Sequence, residues 1–470
     1  MLRATVGTLV RVTHGRLISG NRQTVASGLT IDTRELTPGA VFIALMGEHT
    51  DGHDYLYDAI LGGAHVLVVT LDADELRTLL AQPEAGGVAV IRVKDGTEAL
   101  RDIAAWHRTR ITCPVIGITG STGKTTTKDM LRSILGRSRR VVATEGNRNN
   151  ELGVPLTVLS ADPATEALIV EMGMRGVGQI AELAAVAQPS IGLVTNVGTS
   201  HIELLDTEET VADAKSELIA ALPADGAAFL NGDDAYSERI EKVSRARVRR
   251  YGLSEWCDVR AEDIVCDDES HASFTIVFGD ERCEVRLSVP GRHNVYNALA
   301  AAAIARDLGA DCDDIAEGMA DVHLSAMRMQ VFETASGVTV INDAYNANPV
   351  SMRAAIETLL EMRAPTRRIA VLGDMAELGS LSELAHFQLG EMVGRRGIDV
   401  LVTVGPRAAR IGEGARVGGM PAEDVRSCAT VEEASEVLDD LLEPEDIVLV
   451  KASRIMGLER VVEGIVNPRV

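Results

Sequence analysis

The chain of 470 residues is poor in aromatic side chains, in cationic charge and in long apolar segments. Only 3% of its residues are aromatic whereas 46% are hydrophobic, which predicts cores built from Ala, Val, Leu and Ile. The most apolar run, residues 298–305, is far shorter than the ~18 residues that a membrane-spanning helix requires. Arg11 and His14 interrupt the N-terminal segment, which has no cleavage pattern. We therefore expect a globular cytoplasmic protein without a signal peptide or a membrane span.

Positive charge is also scarce, since the formal net charge is −23. A strongly acidic surface repels phosphate backbones, so we expect no nucleic-acid partner. Such a protein can still bind anions, but only in local pockets that oppose its overall field. The six cysteines show no C-x-x-C spacing, which favours reduced thiols over a disulfide framework or a zinc site. They are Cys113, Cys257, Cys266, Cys283, Cys312 and Cys428.

The alternation of secondary structure predicts an α/β fold in about three domains. Short runs rich in Val and Ile alternate with Ala-rich helical stretches, which is typical of parallel sheets. We predict domains at 1–112, 113–324 and 325–470. Residues 245–289 alternate polar and apolar positions and predict an antiparallel extension of the central sheet. The Arg-rich segment 244–250 is predicted as a solvated edge strand, with an anion-binding patch as the alternative.

The segment Gly120-Ser-Thr-Gly-Lys-Thr-Thr126 follows an apolar strand pattern and precedes a helical one. This context is typical of a phosphate-binding loop, in which backbone N–H groups and the helix N-terminus point at the anion. Gly120 and Gly123 allow close backbone approach, Lys124 would contact the β- and γ-phosphates, and Thr125 or Thr126 would hold Mg²⁺. The loop is shorter than the standard pattern, because Ile118 stands where that pattern has its first glycine.

Four further polar residues follow strands of the same region or lie just beyond them. Glu171 ends one apolar strand pattern, Asn196 and His201 follow another, and Lys215 lies 14 residues beyond His201. Ligands bind at the carboxyl ends of the strands in open α/β sheets, so a carboxylate and an imidazole there could ligate Mg²⁺. Each residue alone would be an ordinary surface or capping group; only the proximity of the phosphate loop favours a metal site.

Several longer strings together resemble the Mur ligases, the ATP-dependent amide ligases of cell-wall precursor synthesis. They are GSTGKTT, EGNRNNELGVPLT, NVGTSHIELL with ADAKSEL, PGRHNVYNALAA and NDAYNANPVSM, and their order spans nearly the whole chain. Four other strings, TIDTR, FIALMGEHTDGHDY, VLGDMAELG and VLVKASRIMGLE, are similar to the family member that adds D-alanyl-D-alanine. The resemblance implies a small N-terminal α/β domain for the UDP-muramoyl peptide and a central P-loop-type ATPase domain with a mainly parallel sheet. It also implies a C-terminal Rossmann-like open sheet for the dipeptide.

The activity implied by this resemblance is the joining of D-alanyl-D-alanine to UDP-N-acetylmuramoyl-tripeptide through an acyl phosphate, with release of ADP and phosphate. The implied cofactors are ATP, two Mg²⁺ ions and CO₂, the last as a carbamate on Lys215. Thr125 and Glu171 would bind one metal ion, and His201 and the Lys215 carbamate the second. Lys124, His201 and Lys215 are therefore the predicted catalytic residues. We expect a monomer that works on small molecules.

The resemblance also assigns nucleotide and substrate contacts. Asn294 and Asn297 would bind adenine, with helix capping as the alternative. Arg328 and Asp343 would meet phosphate and ribose when the domains close. The remaining nucleotide-loop residues are Ser121 and Thr122. The predicted substrate residues are Thr33, Arg34, Gly47, Asn147, Asn149, Asn150, Tyr345, Asn346 and Asn348, with ordinary turn chemistry as the alternative for 346–349. Weaker candidates for the dipeptide are Asp374, Glu377 and His386.

Two other functions fit parts of this pattern. One is an amide ligase for a different acid, such as a folate polyglutamate, against which TIDTR and GDMAELG argue. The other is an ATP-binding switch or scaffold, which would leave Glu171, His201 and Lys215 without a role. The sequence does not distinguish diaminopimelate from lysine as the third peptide residue.

Overall fold

The structure is a computed structural model that describes residues 1–47, 50–198, 202–364 and 366–467. Three α/β units follow one another along the chain, each built around its own main sheet, as the sequence predicts. None of the described helices is long and apolar enough to cross a membrane.

The N-terminal unit contains a five-stranded sheet in the order β2-β7-β6-β5-β4 and a small pair, β1-β3. All four residues of β6 are buried and three of them are Val, as expected of a central parallel strand covered on both faces. The strands are β1 Arg3–Thr5, β2 Arg16–Ser19, β3 Val25–Ser27, β4 Leu29–Thr30, β5 Val41–Ile43, β6 Val66–Val69 and β7 Ala89–Arg92. The helices are α1 Val6–Val12, α2 Leu56–Leu61, α3 Arg77–Leu80 and α4 Gly96–Arg108.

Helix α4 connects the N-terminal unit to the central one. Asp95 caps it by accepting hydrogen bonds from the backbone N–H groups of residues 97 and 98, and its buried face includes Leu100 and Ile103. That face packs against helices of the central unit, so one apolar core continues past the predicted boundary at residue 112. The N-terminal unit is therefore firmly attached to the central unit.

The central unit carries a nine-stranded sheet in the order β16-β15-β14-β13-β12-β11-β8-β10-β9. Its strands are β8 Val115–Thr119, β9 Val141–Ala143, β10 Ala167–Glu171, β11 Ile191–Val194, β12 Ala227–Asn231, β13 Arg247–Gly252, β14 Val259–Cys266, β15 His271–Phe278 and β16 Glu281–Pro290. Its helices are α5 Lys124–Leu135, α6 Gly153–Ser160, α7 Gln179–Ala187, α8 Ile202–Leu205, α9 Glu208–Ala220, α10 Ser237–Glu241, α11 Asn294–Asp307 and α12 Cys312–Ala320.

Strand order reverses around β8, which pairs in parallel with β10 on one side and β11 on the other. A crevice forms beyond the carboxyl ends of strands at such a switch point, and ligands bind there. The predicted antiparallel extension is confirmed, because β14, β15 and β16 pair antiparallel. The centre of the sheet therefore presents the ends of β8, β10 and β11 to one crevice.

Two expectations for the central unit are wrong. The Arg-rich strand β13 lies inside the sheet order, although its Arg-rich part, residues 247–250, pairs only with β12 and β14 joins it only at Tyr251 and Gly252. Its arginines are neutralised by neighbouring acids such as Glu241 and Asp307. Cys283 and Cys312 form a disulfide, although 29 residues separate them in sequence. Strand β16 and helix α12 pack side by side, which brings the two Cα atoms to 5.4 Å, a pairing that sequence spacing does not reveal.

The C-terminal unit is a six-stranded sheet in the order β17-β18-β22-β19-β20-β21, parallel except for β17. Its strands are β17 Gln330–Glu333, β18 Thr339–Asn342, β19 Arg368–Gly373, β20 Val400–Val404, β21 Val425–Cys428 and β22 Ile447–Lys451. Its helices are α13 Pro349–Glu361, α14 Ser382–Arg395, α15 Ala409–Val417, α16 Val431–Leu441 and α17 Glu459–Val466. The carboxyl ends of β18, β22 and β19 lie next to one another and contribute residues to the cleft shared with the central unit.

Candidate active site

The nucleotide-type loop, residues 120–126, runs from the end of β8 into the first turn of α5. It packs against Thr195, which directly follows β11. An added Cβ at Gly120 would lie 1.8 Å from Oγ1 of Thr195, and one at Gly123 would lie 2.2 Å from Oδ1 of Asn297. Gly123 also has a φ of +78°, which favours glycine. Both glycines are therefore required by close contacts as well as by backbone conformation.

Polar contacts hold the rest of this loop in place. Asn196 accepts a hydrogen bond from the backbone N–H of Thr122 at 2.9 Å and donates to its Oγ1 at 2.9 Å. Ser121 Oγ accepts from the backbone N–H of Gly198 at 2.9 Å. Nζ of Lys124 donates to the carbonyl oxygen of Gly120 at 2.7 Å. Asn196 thus shapes the loop from the neighbouring strand, where the sequence suggested a metal site.

A carboxylate lies at the start of helix α5. Oγ1 of Thr125 donates to Oε2 of Glu171 at 2.9 Å, and Nδ2 of Asn149 donates to Oε1 at 2.8 Å. The backbone N–H of Glu171 is held by Oγ1 of Thr144 at 2.9 Å. Glu171 and Thr125 are 1% and 2% exposed, so these hard oxygen ligands are pre-positioned at the end of β10. Asn149, which is also a predicted substrate residue, orients this carboxylate.

Two lysines of this unit have altered basicity. Burial lowers the pKa of Lys124; the negative charge of Glu171 opposes this, and the positive charge of Arg328 adds to it. Lys215, in α9, is 1% exposed, and burial lowers its pKa well below the usual lysine value. The positive charge of Lys124 lowers that pKa further, while Asp234 opposes it. His201, the third predicted catalytic residue, lies outside the described residues.

Asn294 and Asn297 lie in the first turn of α11 and face the same loop. Nδ2 of Asn297 donates to Oδ1 of Asn294 at 2.8 Å, and Oδ1 of Asn297 accepts from Oγ1 of Thr127 at 3.3 Å. Helix capping does not explain the pair, since the N-cap residue is His293 and makes no side-chain cap bond. The asparagines therefore connect α11 with the nucleotide-loop helix α5.

Arg328 and Asp343 enter the cleft from the C-terminal unit. The guanidinium of Arg328 stacks 4.1 Å from the ring centroid of Tyr345. Asp343 pairs through Oδ2 with Nζ of Lys451 at 2.5 Å, and its Oδ1 accepts from the backbone N–H of Met329 at 3.2 Å. Nζ of Lys451 also donates to the carbonyl oxygen of Asn346 at 2.9 Å. Sequence reasoning missed Lys451, although a lysine that ends an apolar strand was an available signal.

A cavity of about 1200 Å³ brings most of these residues together between the central and C-terminal units. The predicted site residues that line it are Ser121, Thr122, Gly123, Lys124, Thr125, Thr126, Asn147, Asn149, Asn150, Glu171, Asn294, Asn297, Arg328, Asp343, Tyr345, Asn346 and Asn348. Asn348 also caps α13 in a capping box with Ser351, as the turn alternative predicts. One cleft therefore contains residues from the ends of both parallel sheets.

Other predicted residues lie elsewhere. Thr33, Arg34 and Gly47 of the N-terminal unit, and Gly120 and Lys215 of the central unit, are not among the residues that line this cavity. The guanidinium of Arg34 donates a hydrogen bond to the carboxylate of Asp32, and this contact lowers the pKa of that carboxyl to about 2. The neighbouring Glu35 forms an ion pair of 2.6 Å with Arg148, which connects the N-terminal unit to the loop that carries Asn149.

The weaker dipeptide candidates hold the protein's own backbone. Oδ1 of Asp374 accepts from the backbone N–H of Ala408 at 2.7 Å. His386 is fully buried, its Nε2 accepts from the backbone N–H of Met375 at 2.9 Å, and burial lowers its pKa. Glu377 lines the cavity. These contacts favour a structural role for Asp374 and His386.

Three family models match successive parts of the chain. The Mur ligase family catalytic domain matches residues 25–108, the Mur ligase middle domain 118–305, and the Mur ligase glutamate ligase domain 327–454. The UDP-N-acetylmuramoyl-tripeptide–D-alanyl-D-alanine ligase of Bacillus subtilis is 36% identical over 99% of both chains. The chain belongs to the Mur ligase family. The family predicted from the sequence strings is thereby confirmed.

Solved Mur ligase structures share the whole architecture. A crystal structure of MurF from Acinetobacter baumannii has a TM-score of 0.87 at 30% identity and covers 99% of both chains. MurF ligase from Thermotoga maritima, solved in complex with ADP, has a TM-score of 0.78 at 28% identity over 93% of this chain and 96% of that one. The ligase class and the three-domain α/β fold predicted from the sequence are confirmed.

Proposed function

We propose that this protein is an ATP-dependent ligase that joins D-alanyl-D-alanine to UDP-N-acetylmuramoyl-tripeptide. The observation that carries the proposal is the shared cavity, in which Lys124, Thr125 and Glu171 lie on the central side and Arg328 and Asp343 on the C-terminal side. The full-length relatives bear the name of this ligase, and a MurF ligase of similar structure binds ADP. We further propose that residues 1–112 bind the UDP-muramoyl peptide, 113–324 bind ATP and 325–470 bind the dipeptide.

The reaction couples two anions and therefore depends on charge neutralisation. A carboxylate oxygen of the tripeptide attacks the γ-phosphorus of ATP and ADP leaves, which gives an acyl phosphate. The dipeptide amine then attacks the acyl carbon, phosphate leaves, and the nitrogen loses its proton as the amide forms. Like unit charges ~4 Å apart repel by about 4 kcal/mol at an effective dielectric of 20. Lys124 and Arg328 supply opposing positive charge in the cavity.

The donor set of the cavity fits Mg²⁺. Thr125 and Glu171 present a hydroxyl and a carboxylate 2.9 Å apart, and Asn149 fixes the orientation of the carboxylate. These residues would hold one ion, and His201 with Lys215 a second. Bound Mg²⁺ would neutralise phosphate charge and orient the γ-phosphate.

Lys215 suits a carbamate because formation of that group requires a neutral amine. Its burial lowers the pKa, which favours the neutral amine. Reaction with CO₂ would replace a buried amine by a carboxylate, and a neighbouring Mg²⁺ would neutralise it. The carbamate would then serve as an additional oxygen ligand.

Asn294 and Asn297 would bind adenine, Arg328 would contact phosphate, and Asp343 would bind ribose. Tyr345, Asn346 and Asn348 would line the acceptor side of the cleft. We place Thr33, Arg34 and Gly47 on the UDP-muramoyl side, with Asn147 and Asn150 closer to the peptide end, since these two line the cavity. We further propose that the protein is a monomer, and the use of ATP supports a cytoplasmic location.

The decisive experiment is mass analysis of the products with purified protein, ATP, Mg²⁺ and each tripeptide form. We expect a pentapeptide product and one phosphate per amide bond with D-alanyl-D-alanine, and none with glutamate as the amine. A product with glutamate would favour the folate-type ligase instead. Binding of ATP without phosphate release under any of these conditions would favour a switch and contradict the proposal.

A further inference from the structure

A buried ion pair lies on the nucleotide-loop helix, one turn beyond Lys124. Lys128 and Asp129 are 2% and 6% exposed, and Nζ of Lys128 lies 3.0 Å from Oδ1 of Asp129. Burial of two charges is costly unless further hydrogen bonds satisfy them. The reaction scheme uses neither residue, so their other partners indicate what the pair does.

Both partners of the pair reach beyond the helix. Oδ2 of Asp129 accepts a hydrogen bond from the backbone N–H of Ser325 at 2.8 Å. Nζ of Lys128 lies 3.4 Å from Oγ of the same serine and donates to the carbonyl oxygen of Thr144 at 2.9 Å. Thr144 in turn holds the backbone N–H of Glu171. The pair therefore connects α5, the strand end beside Glu171, and residue 325.

Ser325 begins the short linker, residues 325–329, that leads from the central unit into the C-terminal sheet. Arg328 lies in this linker between two methionines in the left-handed region, with φ of +59° at Met327 and +47° at Met329. Such a backbone is strained for these residues and persists only where its surroundings fix it. The C-terminal end of the linker is fixed too, since the backbone N–H of Met329 donates to Oδ1 of Asp343.

We propose that Lys128 and Asp129 are positioning residues, which anchor the start of the interdomain linker to the nucleotide-loop helix and thereby place Arg328 against the phosphates. The linker is held at Ser325 on the central side and at Met329 on the C-terminal side, with Arg328 between these points. When the C-terminal unit moves, the linker then pivots at Ser325, whose position relative to Lys124 is fixed by the pair. This inference rests on the proposed ligase function and explains why a charged pair is buried where apolar residues would pack.

The test combines a variant of the pair with a variant of Arg328. Lys128→Met/Asp129→Leu replaces the pair by apolar side chains, a change that buried ion pairs often tolerate. We expect the variant to fold, as judged by thermal unfolding, and to bind ADP within about threefold of the parent, because Lys124 and Thr125 remain. We expect kcat to fall by about 10²-fold, the order of loss that a 1 Å misplacement causes. Asp129→Asn keeps an acceptor for Ser325 and should lose less.

The deciding comparison is made in an Arg328→Ala background. If the pair acts through Arg328, Lys128→Met/Asp129→Leu should cause less than about a threefold further loss there. Ser133→Ala is the matched control, since its Oγ donates from the same helix to the carbonyl oxygen of Asp321 at 3.1 Å without touching the linker beyond it. We expect no change in kcat for this control. A further 10²-fold loss of kcat in the Arg328→Ala background would overturn the inference. A 10²-fold loss of ADP affinity in Lys128→Met/Asp129→Leu would also overturn it.

A second measurement separates this inference from the proposed function. Small-angle scattering of the parent protein with and without ATP analogue and Mg²⁺ reports closure whether or not the dipeptide is coupled. We expect a decrease in the radius of gyration for the parent and for Ser133→Ala, and a smaller decrease for Lys128→Met/Asp129→Leu. If the parent closes but couples no dipeptide, the proposed function fails and the linker inference stands. If the double variant closes like the parent and retains its kcat, only the linker inference fails.

Discussion

The carboxyl ends of the central and C-terminal sheets each have a nearly fully buried lysine beside them, and the two lysines differ in their partners. Lys451 ends β22 and is paired with Asp343 at 2.5 Å. Lys215 is 1% exposed, yet no ion pair to it is found within the described part of the chain. Burial without an ion pair among those residues disfavours the charged form, and it lowers the pKa of Lys215. Lys215, which has no ion pair among the described residues, is therefore suited to a reaction at its amine, and the paired Lys451 to holding a loop.

The largest effect should come from replacing Lys215. Lys215→Met should lower kcat for amide formation by about 10³-fold, because a group that helps stabilise transferring charge is lost. The same change should raise the melting temperature in CO₂-depleted buffer by at least about 2 °C, since an amine no longer has to be buried. Phosphate release and differential scanning calorimetry measure the two effects. Lys242→Met, at an exposed position, is the control. A lower melting temperature for Lys215→Met would contradict the contrast drawn between Lys215 and Lys451.

The paired lysine should respond in the opposite way. Lys451→Met leaves Asp343, whose side chain is only 14% exposed, without its counter-ion and should lower the free energy of unfolding by about 3 kcal/mol. Urea unfolding measures this loss. Lys451→Met/Asp343→Leu should regain most of the stability but no activity, since the nucleotide would still lack Asp343. A loss below about 1 kcal/mol for Lys451→Met alone would show that the pair is not structural.

A smaller effect is expected at the carboxylate of the central site. Asn149→Ala removes the donor to Oε1 of Glu171 and should weaken Mg²⁺ binding by about 10–100-fold, as is usual when a partner of a metal ligand is removed. The Mg²⁺ dependence of ADP binding, followed by titration calorimetry, measures this change. Asn147→Ala is the matched control, because Asn147 lines the same cavity but makes no side-chain contact to Glu171 among the described residues. Equal behaviour of the two variants would contradict the role of Asn149.

The smallest effect is a pH dependence. Burial lowers the pKa of Lys215 in the folded state, so between that value and 10.5 the unfolded chain binds more protons. Stability of the parent relative to Lys215→Met should therefore increase as pH rises toward 10.5, by at most about 1.4 kcal/mol per pH unit. Urea unfolding of both proteins in CO₂-depleted buffer measures the difference. A difference that is constant with pH would indicate that Lys215 is charged when folded.

The sequence predicts local features of this molecule well because they depend on local patterns. Apolar runs that end in Thr119 and Glu171 predicted strands β8 and β10, and the strand–glycine–helix order predicted the nucleotide loop. The side-by-side order of strands depends on contacts distant in sequence, so the position of β13 inside the sheet and the Cys283–Cys312 disulfide were not predicted.

The same reason limits prediction of the site. Glu171 and Thr125 were expected to converge, and their side chains are in contact. Asn149 was expected to contact substrate because an Asn-rich loop suits sugars and peptides, but its partner became visible only in three dimensions. Lys128 and Lys451 resemble ordinary helix and strand-end lysines in sequence, and only burial with specific acids distinguishes them. Residue type and spacing thus predict ligand sets better than they predict supporting contacts.

The contact of Gly123 with Asn297 has a consequence for which nucleotides the protein can accept. Because the start of helix α5 and helix α11 touch without room for one additional methyl group, the residues that would bind the base and the terminal phosphates cannot move closer together. A shorter nucleotide therefore cannot be accommodated by moving the two helices closer together. Selection for ATP would then depend on molecular length as much as on the hydrogen-bonding face of adenine, and compounds that match only one end of ATP should bind weakly.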